Sequence, residues 1–189
     1  MREVIKLGLI LLVITSIAAF VLGITNEVTQ PIIDQRLHLQ NVEAIKALLP
    51  EAEEFELIED ENVTNRSLIV EAYMGIKNGE VVGYTVKTNP NGYNGRVEVL
   101  VGITVDGEIV GAKIGQHAET PGLGSKIADA AYIGQFFNKI VSVGFGSTKD
   151  VPTTDGDIQV VTGATVSSDA VVDGVNAAGA LFEEVLVNR

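Results

Sequence analysis

The most apolar stretch of the chain lies near its N-terminus, where residues 7–24 include no charged side chain. Val4 and Ile5 extend the apolar pattern past the single Lys6. About 20 apolar residues in a helix are enough to cross the hydrocarbon core of a bilayer. The pattern therefore predicts a transmembrane anchor within residues 1–30.

A cleaved signal peptide is the alternative interpretation of this stretch, because residues 16–18, Ser-Ile-Ala, offer small side chains for cleavage. Apolar residues continue beyond that point, at 20–22, which favours an uncleaved anchor. Arg2 and Lys6 precede the stretch, whereas Glu27 follows it. The positive-inside rule then predicts a single-pass protein of the cytoplasmic (inner) membrane, with lipid around the anchor and the C-terminal domain outside the cytoplasm.

Residues 26–31 interrupt the apolar pattern and predict a break that ends in Pro31. Between Ile32 and Pro50, apolar residues recur at a helical spacing, which predicts an amphipathic helix. We interpret it as a packing or stalk helix beside the membrane, at the start of a domain that covers residues 31–189. Its apolar positions include Ile33, Leu37, Ile45 and Leu48.

Four apolar runs separated by turn formers predict two β-hairpins in the middle of the chain. Asn78-Gly79 marks the first turn and Asp106-Gly107 marks the second, whereas the acidic residues 51–61 predict a solvated edge or loop. Strands followed by flanking helices are typical of an α+β domain with an antiparallel sheet. The predicted strands are 68–76, 81–88, 96–105, 109–115 and 158–161, and the predicted helices are 125–137 and 168–186.

Charge and composition exclude several classes of function. The formal net charge is −12, which argues against nucleic acid as a partner, because that contact needs clustered Lys and Arg. The chain has no cysteine, which excludes disulfides, thiolate metal sites and cysteine-ligated iron–sulfur clusters. Only two histidines are present, His38 and His117, and we predict no metal ligands. Any redox group is therefore expected to be organic.

The turn VVTGATVSS, residues 160–168, connects the last predicted strand to the last predicted helix. Small residues at Gly163 and Ala164 are expected to leave their backbone N–H groups uncovered, and the first turn of a helix has free donors as well. Such a turn suits an anion, because these donors and the helix dipole both point at it. The Thr165 hydroxyl could contact a phosphate there or be joined to one. The alternative is a tight turn whose hydroxyls only cap the helix.

Four stretches, taken together, resemble one known protein family. They are the loop GYNG, the strand pair VEVLVGITVDGEIVGAKI, the loop QHAETPGLGSKI and the turn VVTGATVSS. Along nearly its whole length the chain is similar to the FMN-binding G subunit of the Rnf complex, an ion-translocating ferredoxin:NAD oxidoreductase. It is also similar to the related C subunit of the sodium-translocating NADH:quinone reductase, although the short chain looks more like the Rnf protein. The ordered pair ETPGLG and TGAT is the specific part of this resemblance.

The resemblance implies an electron-transfer subunit of a membrane-bound ion-translocating complex, with an extracytoplasmic FMN-binding domain and no independent catalytic site. In the family, the last threonine of the TGAT motif carries FMN through a phosphoester bond, and that residue is Thr165 here. A flavin transferase installs FMN from FAD. The other implied partners are the membrane subunits and the iron–sulfur or flavin subunits of the complex. Where the family often has an aspartate, this sequence has Gln159, with Asp157 two residues earlier.

The resemblance also implies roles for residues around the flavin. Backbone donors at 122–124 are expected at the edge of the ring, with Leu123 against its face. Tyr93 either stacks on the ring or packs the loop beneath it, and His117 is either a structural histidine or a proton donor. Ser167 and Ser168 are expected first of all to start the last helix and only secondarily to bind the phosphate. The predicted cofactor-binding residues are Tyr93, Glu119, Thr120, Gly122, Leu123, Gly124, Thr162, Gly163, Ala164, Thr165 and Ser168.

Two other functions stay open at this point. The first is a flavin-binding regulatory or sensor module, which is disfavoured because no further domain that would receive a signal is evident in the sequence. The second is a cofactor-free adaptor that holds a membrane complex together. Yellow colour in the denatured protein would exclude this adaptor.

Overall fold

The structure is a computed structural model that describes residues 2–188, with side chains described for all of these except residues 33–41 and Thr64. The side-chain positions predicted at Ile33, Leu37 and His38 therefore lie outside the described residues. The chain divides into two compact units, Met1–Val42 and Glu43–Arg189. This division falls later than the predicted boundary between residues 30 and 31.

The first element is one long helix, α1 (Arg2–Leu48). Its segment Arg2–Ile32 is long and apolar enough to cross a membrane, by length and composition. The predicted break at residues 26–31 is wrong, because α1 continues through Pro31. An interior proline removes one i→i−4 hydrogen bond and its ring crowds the carbonyl group four residues earlier, at a cost of about 3 kcal/mol, but its fixed φ is close to the helical value, so the turns on either side can remain helical. The other helices are α2 (Glu61–Thr64), α3 (Ala130–Ile133) and α4 (Thr165–Glu184), with 3₁₀ turns at Gly124–Ala128, Gly134–Phe136, Val141–Val143 and Leu186–Asn188.

A five-stranded antiparallel sheet forms the centre of the second unit, with its strands side by side in chain order. Both predicted hairpins are confirmed. Asn78 and Gly79 have the positive φ angles, 53° and 81°, that the tight hairpin turn requires. The acidic residues 51–61 contain an edge strand, so this segment does lie at an edge of the sheet. The five strands are β1 (Glu54–Leu57), β2 (Ile69–Lys77), β3 (Glu80–Thr88), β4 (Val97–Thr104) and β5 (Ile109–His117).

The two faces of the sheet pack against different helices. Alternate residues of β4, from Val97 to Ile103, are fully buried in a core that they share with α4. Leu100 points to the opposite face, since side chains alternate along a strand. There it packs with Ile45 and Leu48 at the end of α1, as the amphipathic pattern predicts. The sheet therefore holds the ends of β4 and β5 in a fixed relation to the start of α4.

The segment between β5 and α4 differs most from the sequence-based expectation. The predicted helix at 125–137 is divided into α3 and two 3₁₀ turns, because Asp129 has an extended backbone with φ −68° and ψ 141°. A small parallel sheet follows, formed by β6 (Gly146–Thr148) and β7 (Asp157–Gln159). We did not predict β6, whose sequence Gly-Ser-Thr has no apolar alternation. β7 ends at 159 rather than 161, and α4 begins at Thr165 rather than at 168.

Candidate functional site

A cleft of about 440 Å³ lies where three segments meet: the GYNG loop, the ETPGLG loop and the first turn of α4. Its volume falls within the range of roughly 300–1,000 Å³ that is typical of small-molecule sites. The structure thus brings together three of the four stretches that carried the family resemblance. The cleft is lined by Tyr93, Glu119, Thr120, Leu123, Gly124, Gly163, Ala164, Thr165, Val166 and Ser167.

The TGAT motif forms a tight turn immediately before α4. The Ala164 N–H donates to the Val161 carbonyl oxygen at 2.9 Å, and Gly163 in the third position of the turn has a φ of 81°. This combination is that of a type II turn, which favours glycine at the third position. The expectation of an uncovered N–H holds for Gly163, which has no acceptor among the described residues, but it is wrong for Ala164, because the turn uses that donor. Gly163 is needed for its backbone conformation.

Further backbone donors lie in the first turn of α4. Ala164 precedes this helix and makes no side-chain capping bond. The first backbone bond into α4 runs from the Ser168 N–H to the Ala164 carbonyl oxygen at 3.0 Å. The backbone N–H groups of Thr165, Val166 and Ser167 have no acceptor among the described residues. These donors and the positive end of the helix dipole make this end of the cleft a site for an anion.

Three of the predicted cofactor-binding residues do not line the cleft. Ser168 is fully buried, and its hydroxyl oxygen accepts the Val161 N–H at 3.0 Å. Its carbonyl oxygen accepts the Tyr132 hydroxyl at 2.9 Å, so Ser168 joins the turn to the core. Thr162 is exposed beside the turn, outside the lining. The Gly122 N–H donates to the Ser125 hydroxyl oxygen at 2.9 Å.

The ETPGLG loop provides fewer backbone donors than we expected. Besides the Gly122 bond, the Leu123 N–H donates to the Thr120 carbonyl oxygen at 3.2 Å. Of the three N–H groups expected at the edge of a flavin ring, only that of Gly124 has no acceptor among the described residues. The loop uses its other two donors to hold its own shape.

Glu119 is the most constrained polar residue in the cleft. Only 4% of its surface is exposed, and none of the ion pairs among the described residues involves it. Its Oε1 accepts the backbone N–H groups of Tyr93 at 2.8 Å and Asn94 at 3.2 Å. Its Oε2 accepts the Ser167 hydroxyl at 2.7 Å. Sequence reasoning placed Glu119 near the ring, but these bonds depend on tertiary structure.

Three exposed apolar side chains stand at the cleft, one from each of its segments. Tyr93 is 72% exposed, Leu123 is 43% exposed and Val166 is 50% exposed. The exposure of Tyr93 rules out the alternative in which its ring packs beneath the loop. Val166 was missed by sequence reasoning, because the exposure of this apolar residue is evident only in the structure. The arrangement offers apolar cover for a flat aromatic group.

His117 lies on the other side of the ETPGLG loop. Its Nδ1 accepts the Glu119 N–H at 3.3 Å, and the residue lines a separate cavity of about 450 Å³. Lys87, Arg96 and Glu98 line that cavity too. The structural interpretation of His117 is therefore the one that the geometry favours.

Gln159 stands at the position where the resembling family often has an aspartate, and Asp157 lies two residues earlier. Both residues are held by other contacts. Asp157 Oδ2 accepts the N–H groups of Thr153 and Thr154, both at 2.9 Å, and the Thr153 hydroxyl at 3.0 Å. These bonds, chiefly that from the Thr153 backbone, lower the pKa of Asp157 from 3.8 to about 2. The backbone of Gln159 is paired with the side chain of Gln135, through bonds of 2.8 and 3.0 Å. The side chain of Asp157 therefore stabilises the loop that precedes β7, through its bonds to Thr153 and Thr154.

Comparison with known proteins agrees with this geometry. Residues 92–180 match the model of the FMN-binding domain family. The chain is 40% identical over 198 aligned positions to the G subunit of the Na(+)-translocating ferredoxin:NAD(+) oxidoreductase complex of Acetobacterium woodii, covering 97% of this chain and 94% of that one. It is 34% identical over 180 positions to the G subunit of the ion-translocating oxidoreductase complex of Methanosarcina acetivorans, covering 94% and 93%.

Among solved structures, the chain is similar to the C subunit of the Na(+)-translocating NADH-quinone reductase of Parabacteroides distasonis. The TM-score is 0.57 and the identity is 17%, with 73% of this chain and 79% of that chain covered. At this identity the likeness supports the fold alone. From the identity and coverage of the sequence relatives, the chain belongs to the family of G subunits of ion-translocating oxidoreductase complexes of the Rnf type, with an FMN-binding domain.

Proposed function

We propose that this chain is the electron-transfer subunit of a membrane-bound ion-translocating oxidoreductase complex, and that it carries FMN covalently on Thr165. The observation that supports this most directly is the place of Thr165, the first residue of α4, on the wall of the cleft. The relatives named above are G subunits of such complexes.

The residues of the cleft fit both ends of FMN. A phosphate joined to a threonine as a phosphodiester keeps one negative charge. The free N–H groups of Thr165, Val166 and Ser167, at the positive end of α4, can hold that charge without a lysine. The exposed side chains of Tyr93 and Leu123 offer apolar cover to the isoalloxazine ring.

Attachment requires an enzyme, because a threonine hydroxyl does not displace phosphate unaided in water. A flavin transferase would form the bond between Thr165 Oγ1 and the flavin-side phosphorus of FAD. The pyrophosphate bond breaks, AMP leaves, and the hydroxyl proton passes to a base of the transferase. When bound, FMN supplies single-electron transfer, and the protein tunes it through local charge and hydrogen bonds.

The proposed setting is the cytoplasmic membrane. The apolar segment Arg2–Ile32 anchors the chain, and the positive-inside rule places the domain that follows outside the cytoplasm. No free flavin pool is assured there, so a covalent bond prevents loss of the cofactor. The partners are the membrane and redox subunits of the complex, the flavin transferase during maturation, and lipid around the anchor.

The test is in-gel flavin fluorescence of the full-length protein, produced with and without the flavin transferase and then denatured. We expect a fluorescent band only when the transferase is present, and no band for Thr165→Val, which keeps the shape of the side chain and loses the hydroxyl. A wild-type protein that stays dark with the transferase present would overturn the covalent attachment, and only native protein that is also colourless would favour a cofactor-free adaptor.

A further inference from the structure

The feature that carries a further inference is the carboxylate of Glu119, at the junction of the three segments that form the cleft. Its Oε1 holds the backbone of Tyr93, which lies 26 residues away in sequence. Its Oε2 holds the Ser167 hydroxyl, which lies 48 residues away. One side chain thus connects the GYNG loop, the ETPGLG loop and the first turn of α4.

The surrounding residues leave room for this carboxylate and reinforce its position. A Cβ at Gly124 would lie 2.7 Å from Glu119 Oε2, and a Cβ at Gly92 would overlap Oε1. Glycine is therefore required at both places by close approach. The Asn94 side chain adds a second link between the loops, because its Nδ2 donates to the Ala118 carbonyl oxygen at 2.6 Å. The Glu119 N–H is itself held by His117 Nδ1 at 3.3 Å.

The two oxygens of the Glu119 carboxylate contact residues at opposite ends of the proposed FMN site. Ser167 is in the same helical turn as Thr165, so the bond to Oε2 fixes the end where the phosphate would be attached. Tyr93 has its backbone N–H held by Oε1, while its side chain stands exposed at the cleft. A shift of Glu119 would therefore change the distance between the attachment point and the wall that faces the ring.

We propose that Glu119 is a positioning residue, which fixes the ring-facing wall at Tyr93 relative to the attachment end at Thr165. This inference rests on the proposed FMN function. Both carboxylate oxygens of Glu119 already accept protein donors and the residue is only 4% exposed, so we assign it a role in holding the walls of the cleft together rather than in contacting the ring.

Two substitutions at Glu119 distinguish a positioning role of the side chain from an effect of its charge. In Glu119→Gln, the amide oxygen can still accept the Tyr93 and Asn94 N–H groups, and the Ser167 hydroxyl can turn to accept from the amide NH₂. In Glu119→Ala, all three donors lose their acceptor. A positioning role therefore predicts that Gln preserves the site and that Ala does not.

Glu98 provides a matched control, because it is also a buried carboxylate at the end of the same hairpin. It is 7% exposed, pairs with Lys87 and accepts the Gln116 N–H at 3.1 Å. It lines the neighbouring cavity rather than the cleft. Glu98→Ala therefore removes a buried carboxylate, with its ion pair and its backbone hydrogen bond, without touching the proposed site.

The experiment is visible-region circular dichroism of the flavin in the full-length protein, produced with the transferase and normalised to flavin absorbance. We expect Glu119→Ala to lose most of the flavin signal, Glu119→Gln to retain it, and Glu98→Ala to retain it while melting at a lower temperature. If Glu119→Ala does not fold, Ser167→Ala removes only the helix-side bond and is expected to weaken the signal.

A wild-type signal in Glu119→Ala or Ser167→Ala would overturn the positioning role. So would an equal loss in Glu98→Ala, because the effect would then follow general stability. Wild-type protein that carries no flavin would overturn the proposed function and this inference with it. A flavin-bearing Glu119→Ala protein with an unchanged signal would overturn this inference alone.

Discussion

The replacement Gly163→Ala tests whether the TGAT glycine is required by its backbone conformation. Gly163 has a φ of 81°, which an L-residue adopts at a cost of about 1–2 kcal/mol. The new Cβ would lie 3.1 Å from Leu123 Cδ1, but Leu123 is 43% exposed and its side chain can move aside. Alanine also lowers the entropy of the unfolded chain, which offsets about 0.4–1 kcal/mol. The net effect is a loss of about 1 kcal/mol in unfolding free energy.

Gly134→Ala is the matched control for this prediction. Gly134 has φ −60° and ψ −17°, and a Cβ there would meet no atom within 4 Å. The same replacement at this exposed position is expected to stabilise the protein by about 0.4–1 kcal/mol. For a domain of this size, 1 kcal/mol corresponds to about 2–4 °C in melting temperature. Gly163→Ala should therefore melt below the wild type and Gly134→Ala at or above it.

Thermal melts of the two variants, recorded on the full-length protein in one detergent, provide the measurement. Gly163→Ala should also reduce the amount of flavin attached in a fixed time, because opening the turn from Val161 to Ala164 displaces Thr165. Equal melting temperatures for the two alanine variants would refute the conformational argument. Reduced stability with full attachment would limit the role of Gly163 to folding.

Three further predictions concern charge and topology. Glu119→Gln should raise the flavin reduction potential in redox titration, because reduction adds negative charge to the ring and the substitution removes a buried carboxylate beside it. The expected shift is on the order of 50–100 mV at an effective dielectric near 20, and an unchanged potential would contradict this. Asp157 has a pKa lowered from 3.8 to about 2, so its stabilising contribution is present above pH 3.8 and is lost as the pH falls through about 2. Denaturation at a series of pH values should show a smaller acid loss in Asp157→Asn, and equal acid losses in the two proteins would count against it. Reporter fusions at the C-terminus should be active only outside the cytoplasm, and a cytoplasmic signal would overturn the proposed topology.

The sequence analysis correctly predicted the elements that are specified by residues close together in the chain. The Asn78-Gly79 turn specified its hairpin, and the apolar run before the Asp106-Gly107 turn specified the strand β4. The break predicted before Pro31 was wrong, because a proline signal does not by itself decide whether a helix stops. β6 was missed because it exists through pairing with β7 rather than through its own pattern.

The candidate site shows the same division between local and tertiary information. Thr165 was predicted from its motif, and it lies on the wall of the cleft. Ser168 was predicted to bind the cofactor, but its hydroxyl oxygen points inward and accepts the Val161 N–H. The bonds of Glu119 join residues that are 26 and 48 positions apart, so no local pattern could reveal them. The close approach at Gly92 and Gly124 is the consequence of those bonds.

The measurement that tests the central claim most directly is peptide mapping by mass spectrometry of the full-length protein produced with its flavin transferase. We predict one modified peptide, heavier by FMN less one water, with fragment ions that place the addition on Thr165. The addition should persist in Thr162→Val, since Thr162 lies outside the lining of the cleft, and should be absent from Thr165→Val. An addition on Thr162, or an unmodified wild-type protein, would contradict the account.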